Sequence, residues 1–154
     1  MRLRDVMTAD PAFVSRDDTI QHAAELMEQL NVGALPVCED GHLAGMVTDR
    51  DITVRCTAAG KAPSESTVND AMSEMTLWCR DDDTLDVARE KMAEHQIRRL
   101  PIIDRDSRLI GIVSLGDLAT KGGDPTKTGD TLTEVSNPTE PDKDQRNRNS
   151  SVCR

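Results

Sequence analysis

The stretch "DVMTADPAFVSRDDTIQHAAELMEQLNVGALPV", residues 5–37, recurs in altered form as "DAMSEMTLWCRDDDTLDVAREKMAEHQIRRLPI", residues 70–102. The two segments align without a gap. After one extra residue in the second copy, "GMVTDRD" at 45–51 matches "GIVSLGD" at 111–117. Such self-similarity indicates that the chain contains two copies of one structural unit.

Each copy predicts the same elements in the order β-α-β-β-α. Thr19 and Thr84 are placed to cap helices. The apolar faces of these helices are Ile20, Ala23, Ala24, Met27 and Leu30 in the first copy, and Leu85, Ala88, Met92 and Ile97 in the second. Two hairpins follow, with strands at 33–38 and 43–48 and at 99–104 and 109–114. Further helices are predicted at about 50–59 and 116–120.

These elements predict an α/β fold of two small units. Residues 1–60 form the first unit, residues 61–121 the second, and residues 122–154 a polar tail that we expect to be disordered because it has few apolar side chains. One unit alone buries little surface. We therefore expect the two units to pack sheet to sheet with pseudo-twofold symmetry and to share one core.

The composition excludes several classes of function. The net charge of −9 and the near absence of aromatic side chains argue against nucleic-acid binding. No segment is long and apolar enough to span a membrane, and the first residues do not resemble a signal peptide, so we expect a cytoplasmic protein. The histidines and cysteines are scattered without a CxxC pair, which predicts no metal site and no disulfide framework.

The segments "VTDRD" and "VSLGD" both place a hydroxyl residue at the end of a strand, with an aspartate three residues later. The hydroxyl and the start of the following helix are suited to a phosphate, and the carboxylate is suited to the two hydroxyl groups of a ribose. The same spacing is also that of an ordinary capping box, in which both side chains bond only to the backbone. The pattern alone leaves both interpretations open.

Arg98 and Arg99 occupy the positions that Gly33 and Ala34 hold in the first copy. Two adjacent arginines in an acidic protein are suited to holding a phosphate. A surface salt bridge explains them equally well. Either way, the two copies are not equivalent.

Taken together, "DVMT" and "DAMS", "ALPV" and "RLPI", and "GMVTDRD" and "GIVSLGD" resemble the motifs of a pair of CBS domains, the module named after cystathionine β-synthase. The resemblance covers residues 1 to about 120. It implies a stand-alone CBS pair, homodimers, and clefts between the units that bind AMP, ADP, ATP or S-adenosylmethionine. The resemblance implies no cofactor other than such a regulatory ligand.

The resemblance also implies which residues line each cleft. The first cleft would take Thr48, Arg50, Asp51, Ser73, Thr76, Leu77, Arg98 and Arg99. The second cleft would take Ser114, Asp117, Thr8, Ala12, Phe13, Gly33 and Ala34. We expect the first cleft to be the better nucleotide site, because it has two arginines whereas the second has no cation near its phosphate end.

Three functions remain to be compared. The first is a sensor that binds an adenosyl compound and regulates an unknown protein partner. The second is a non-catalytic dimeric scaffold whose clefts are vestigial. An enzyme is disfavoured, because the sequence has no nucleophile elbow, P-loop lysine or clustered metal ligands. A redox switch through Cys38, Cys56 or Cys79 is a minor variant of the sensor.

Overall fold

The computed structural model describes residues 1–74 and 77–138. It confirms a mixed α/β fold built from two similar halves. The first half contains α1 (Leu3–Val6), β1 (Thr8–Ala9), α2 (Ile20–Leu30), β2 (Ala34–Glu39), β3 (His42–Thr48), α3 (Asp49–Asp51) and a π-helical continuation (Ile52–Thr57). The second half contains α4 (Val68–Ala71), β4 (Ser73–Glu74), β5 (Cys79–Arg80), α5 (Leu85–His95), β6 (Arg99–Ile103), β7 (Leu109–Ser114), α6 (Leu115–Lys121) and α7 (Pro125–Ser136).

Each half lends its first short strand to the sheet of the other half. One sheet has the order β1-β7-β6-β5 and the other has the order β2-β3-β4. In the first sheet, Thr8 lies opposite Ile112, and in the second, Ser73 lies opposite Met46. The segments before the two repeats are therefore exchanged, which ties the two sheets together through backbone hydrogen bonds.

The same exchange divides the interior into two cores instead of the single shared core that the sequence suggested. Leu3 and Val6 of α1 pack with Leu100 and Leu118 of the second half. Val68 and Ala71 of α4 pack with residues of the first half, among them Ile20, Leu35 and Val47. Since a short helix from each half completes the core of the other, neither half closes its core alone.

The two long helices begin where the sequence predicts. The Thr19 hydroxyl accepts a hydrogen bond from the His22 N–H at 3.0 Å, and Thr84 plays the same part for α5. The predicted apolar face of α2 is too wide, because Ala24 and Leu30 are exposed while Ile20, Ala23 and Met27 are buried. The buried stripe therefore follows the i, i+3, i+7 spacing of a single helix face.

The prediction of a disordered tail from Gly122 onward is wrong over Pro125–Ser136, where the chain forms α7. Asp124 caps this helix by accepting a hydrogen bond from the Lys127 N–H at 3.1 Å. Its buried side chains are Thr128, Thr131 and Val135. Two of these three are polar, so a search for apolar periodicity misses the helix. Residues 139–154 lie outside the described residues.

Among the residues that the structure describes, no helix has both the length and the apolar character needed to cross a bilayer.

Candidate functional site

The two hydroxyl–aspartate motifs are both capping boxes. Thr48 ends β3, its hydroxyl accepts a hydrogen bond from the Asp51 N–H at 3.0 Å, and its own N–H donates to Asp51 Oδ2 at 2.9 Å. Ser114 ends β7 and makes the equivalent pair of bonds with Asp117 at 3.0 and 2.8 Å. The capping interpretation is therefore correct, and capping occupies only one oxygen of each carboxylate, Oδ2.

The two motifs differ in the contacts of the second carboxylate oxygen, Oδ1, which does not take part in capping. Within the described ranges, Oδ1 of Asp51 has no hydrogen-bond partner. In contrast, Oδ1 of Asp117 accepts a hydrogen bond from Lys121 Nζ at 3.1 Å, and the Ser114 hydroxyl donates to Asp117 Oδ2 at 2.8 Å. Partial burial favours a higher pKa for Asp117, but the hydrogen bonds from Ser114 and Lys121 outweigh it and lower the pKa. The carboxylate of Asp117 is thus ionised at neutral pH.

The carboxylate half of this box also occurs where no ligand was predicted. The Thr67 N–H donates to Asp70 Oδ2 at 3.1 Å, and the Arg2 N–H donates to Asp5 Oδ2 at 2.7 Å. These two aspartates belong to the repeated "DVMT" and "DAMS" segments. The fold therefore uses an aspartate three residues after the cap as a general way to start a helix. A ligand role must be argued from the surroundings.

An apolar cavity of about 400 Å³, here called the Arg99 cavity, lies beside β7. Three of the residues predicted for the second cleft, Thr8, Ala12 and Ala34, line it together. The remaining wall is mostly aliphatic and includes Leu30, Val32, Leu35, Pro36 and Ile112. Pockets with aliphatic walls and a few polar groups are typical of sites for small flat ligands. Two charged residues also line this wall: Asp10, which the sequence analysis did not name, and Arg99, which it assigned to the first cleft.

A second cavity of about 520 Å³, here called the Ser114 cavity, is lined by both arginines and by Ser114. Arg99 lies opposite Ser114 in the β6–β7 hairpin and belongs to both cavities. The prediction that the second cleft has no cation near its phosphate end is therefore wrong. The physical reason is the antiparallel register, which brings the first residue of β6 next to the last residue of β7.

The corresponding place in the first half is acidic. The Asp49 N–H donates to the Gly33 carbonyl oxygen at 2.9 Å. A Cβ atom on Gly33 would lie 3.0 Å from Asp49 Oδ2. An acidic side chain thus stands beside Gly33, in the position where the second half has its arginines. Because like charges repel, this end of the first half is unfavourable for a phosphate.

The other predicted site residues are dispersed. Phe13 is 57% exposed and lines a separate cavity of about 360 Å³ with Cys38 and Arg108. Ser73 lies in β4 beside β3. Leu77 is half-buried against the second core, and Arg50 is exposed on α3. Thr76 lies outside the described residues, and the assignment of both arginines to the first cleft stays a prediction.

Three cysteines are buried, namely Cys38, Cys56 and Cys79, and none is part of a disulfide in the described residues. Burial raises the pKa of the Cys79 thiol to about 11. The thiolate is the reactive form, so this cysteine is poorly suited to redox chemistry.

Labelling by iodoacetamide tests this conclusion. We expect Cys79 to be modified at pH 8 at least about 100-fold more slowly in the folded protein than in urea, because its pKa lies more than two units above the pH and its side chain is buried. Peptide mass spectrometry measures the rate at each cysteine. Equal rates in both conditions would mean that the thiol is accessible in the folded state.

Comparisons with known proteins agree with this architecture. The family model described as "CBS domain" matches residues 3–56 and 68–122. The CBS domain-containing protein YhcV of Bacillus subtilis strain 168 is 47% identical over 87% of this chain and 94% of its own length. The crystal structure of Hypoxic Response Protein I with two coordinated zinc ions matches with a TM-score of 0.73 and 35% identity, over 79% of this chain and 98% of that one.

A third match has a nucleotide. The crystal structure of CBSX2 in complex with AMP has a TM-score of 0.71 and 28% identity, over 79% of this chain and 95% of that one. As for zinc, the described part of this chain contains no group of three His, Cys, Asp or Glu side chains that could hold a metal ion.

Proposed function

We propose that this chain, which belongs to the CBS-domain family, is a regulatory module that binds an adenosine 5′-phosphate such as AMP in its second cleft. The observation that supports the proposal is the place of Arg99. This side chain lies between an aliphatic cavity suited to a purine and a second cavity bordered by Ser114. A base and a phosphate on one nucleotide would use both cavities at once.

The choice of the second cleft follows from charge. Both arginines line the Ser114 cavity, whereas Asp49 stands at the equivalent place in the first half. The ribose would bind the carboxylate of Asp117. Asp117 lines neither cavity itself but is bonded to Ser114, which lines one of them. Its side chain is only 17% exposed and is paired with Lys121, which the ribose would have to displace.

The same charges select among adenosyl compounds. S-adenosylmethionine carries a positive sulfonium where AMP carries its phosphate. Two guanidinium groups at that end of the site repel the first and attract the second. We therefore propose AMP or a related adenine nucleotide as the regulatory ligand, with no catalytic step.

The alternative function is a non-catalytic scaffold, and one observation favours it. Thr48, Asp51, Ser114 and Asp117 all have capping roles that would preserve them without any ligand. In that case the chain would form a homodimer and bind a protein partner, and it would bind no small molecule.

Calorimetric titration with AMP, adenosine and S-adenosylmethionine tests the proposal. We expect AMP to bind most tightly and Asp117→Ala to weaken it by about 10-fold or more, because a bidentate bond to the ribose is lost. Asp51→Ala should leave the affinity within about twofold.

The matched control is Asp70→Ala, which removes the same bond from a backbone N–H to a carboxylate at a position that lines neither cavity. All three substitutions should cost about 1 kcal/mol of folding free energy, measured by urea unfolding, since each removes the carboxylate that bonds the backbone N–H at the start of its helix. If none of the three ligands binds the unmodified protein, the scaffold function is the correct one. If Asp51→Ala alone abolishes binding, the ligand occupies the first cleft.

A further inference from the structure

Helix α7 is held against the second half by few apolar contacts. It follows Gly122 and Gly123, and the latter has a φ of +70°. Of its apolar side chains, Val135 is buried but Leu132 is 47% exposed. Since apolar burial is the main source of docking energy, the helix is weakly attached compared with the cores.

Polar contacts fasten the end of this helix. Gln96 Nε2 donates to the carbonyl oxygens of Glu134 and Asn137 at 3.2 and 3.1 Å. Arg98 Nη2 donates to the Ser136 hydroxyl at 3.3 Å. Both anchoring side chains come from the short loop between α5 and β6. The loop that contains Arg98, the first of the two arginines, thus also anchors α7.

The docked helix also covers a guanidinium group that is only partly satisfied. Arg89 on α5 is 7% exposed, and its Nη1 bonds to Asp86 Oδ1 at 2.9 Å. Its Nε and Nη2 are buried without a hydrogen-bond partner in the described residues. Leaving such donors unpaired costs free energy that is recovered when water returns. Docking of α7 carries this cost, and the acidic residues Asp130 and Glu134 of α7, which line the same cavity as Arg89, reduce it.

An ion pair on the other edge partly offsets this cost. Lys127 Nζ lies 3.1 Å from Asp86 Oδ2. Hydrogen bonds from Lys127 and then Arg89 lower the pKa of Asp86. Both partners are more than half exposed, so the pair is a weak surface interaction. Neither edge of α7 is firmly fixed.

Finally, α7 forms one wall of the Ser114 cavity. Thr128 and Leu132 face the same space as Arg98, Arg99 and Ser114. A group that binds the arginines would lie directly beside this helix. The helix and the candidate phosphate site therefore share both a cavity and the Arg98 side chain.

We infer that α7 is a detachable cover whose release is coupled to phosphate binding in the Ser114 cavity, an inference that rests on the function proposed above. A phosphate forms charge-assisted hydrogen bonds with Arg98, and these are stronger than its bond to the neutral Ser136 hydroxyl. Arg98 therefore turns to the phosphate, and the end of α7 loses one of its anchors. Undocking removes Lys127 from the already exposed Asp86 and uncovers the buried Arg89, which changes the surface of α5 that is available to a partner.

Hydrogen–deuterium exchange of the full chain, followed by mass spectrometry, tests the coupling. We expect saturating AMP to accelerate exchange of the backbone amides in 125–136 by about fivefold or more. Adenosine, which lacks the phosphate, should bind without this acceleration. Ser136→Ala should accelerate exchange of the same amides without any ligand, and AMP should then add little.

Thr133→Ala is the matched control, because among the residues that the structure describes the Thr133 hydroxyl bonds only within its own helix, to the Gly129 carbonyl oxygen at 3.0 Å. It should leave the exchange of α7 and its response to AMP within about twofold. Calorimetry on the same samples separates the outcomes. If AMP binds and α7 exchange is unchanged or slower, the coupling is wrong while the proposed function stands. If no ligand binds, both are wrong.

Discussion

Replacing Gly45 by alanine is expected to destabilise the protein by about 3 kcal/mol, near the upper end of the usual cost of overpacking. A Cβ atom at this position would collide with the Ser73 carbonyl oxygen and approach the Met72 methyl group to 2.5 Å. The oxygen belongs to β4, which pairs with β3 at this point. Backbone cannot turn aside as a flexible side chain can, so the exchanged strand itself must shift. Urea unfolding measures the loss.

Two other glycines serve as controls for this experiment. Gly111 holds the equivalent place in the second half, but its Cβ would meet mainly the Met7 sulfur, which can move. Gly111→Ala should therefore cost less, about 1–2 kcal/mol. Gly129 lies within α7 with nothing near its Cβ position, so Gly129→Ala should not destabilise the protein. Equal stability of Gly45→Ala and the unmodified protein would contradict the close pairing of β3 with β4.

The repeat made the local elements predictable and left the long-range pairing open. Thr19 and Thr84 identify helix starts because a cap acts within three residues. No comparable short-range sequence pattern predicts the exchange of β1 and β4 between the sheets. Thr8 and Ser73 belong to two-residue strands, and nothing near them in sequence states which sheet they join. Two cores replaced the single expected core for this reason.

The sequence was sufficient to predict that Arg99 lies beside Ser114, although the resemblance to a family assigned Arg99 to the first cleft. Once strands 99–104 and 109–114 are taken as a hairpin, counting outward from the turn pairs Arg99 with Ser114. The family motif indicates which positions in the sequence could contact a ligand, whereas the register of the hairpin indicates which residues lie side by side. Here the neighbour relation places Arg99 beside Ser114, a residue predicted for the second cleft.

The hydroxyl–aspartate spacing illustrates a different limit. Asp51, Asp70 and Asp117 all accept a hydrogen bond from the backbone N–H of the residue three positions earlier. No sequence pattern could separate them, because the requirement of the helix start is identical in each. They differ only in what lies around them, and that depends on contacts between residues far apart in the chain.

Substituting Arg99 by alanine is expected to weaken AMP binding by about 10- to 100-fold and to leave adenosine binding nearly unchanged. Hydrogen bonds to a charged group contribute about 1.5–3 kcal/mol, and 1.4 kcal/mol corresponds to a tenfold change in affinity. Arg99 borders both cavities, so its guanidinium is placed to reach the phosphate while the aliphatic wall holds the base. Titration of both ligands at two salt concentrations measures the effect. The salt dependence of AMP binding should decrease in the variant, since one charge interaction is lost.

Arg105→Ala is the control for net charge, because Arg105 is an exposed arginine in the turn between β6 and β7 and lines neither cavity. It should leave AMP affinity within about twofold. An equal loss for AMP and adenosine in Arg99→Ala would mean that Arg99 shapes the cavity and does not bind the phosphate. No loss for either ligand would place the phosphate elsewhere, and the first cleft would then be the candidate. There the Thr48 hydroxyl is the candidate phosphate donor, and Oδ1 of Asp51, which has no hydrogen-bond partner in the described ranges, is the candidate acceptor for the ribose hydroxyls.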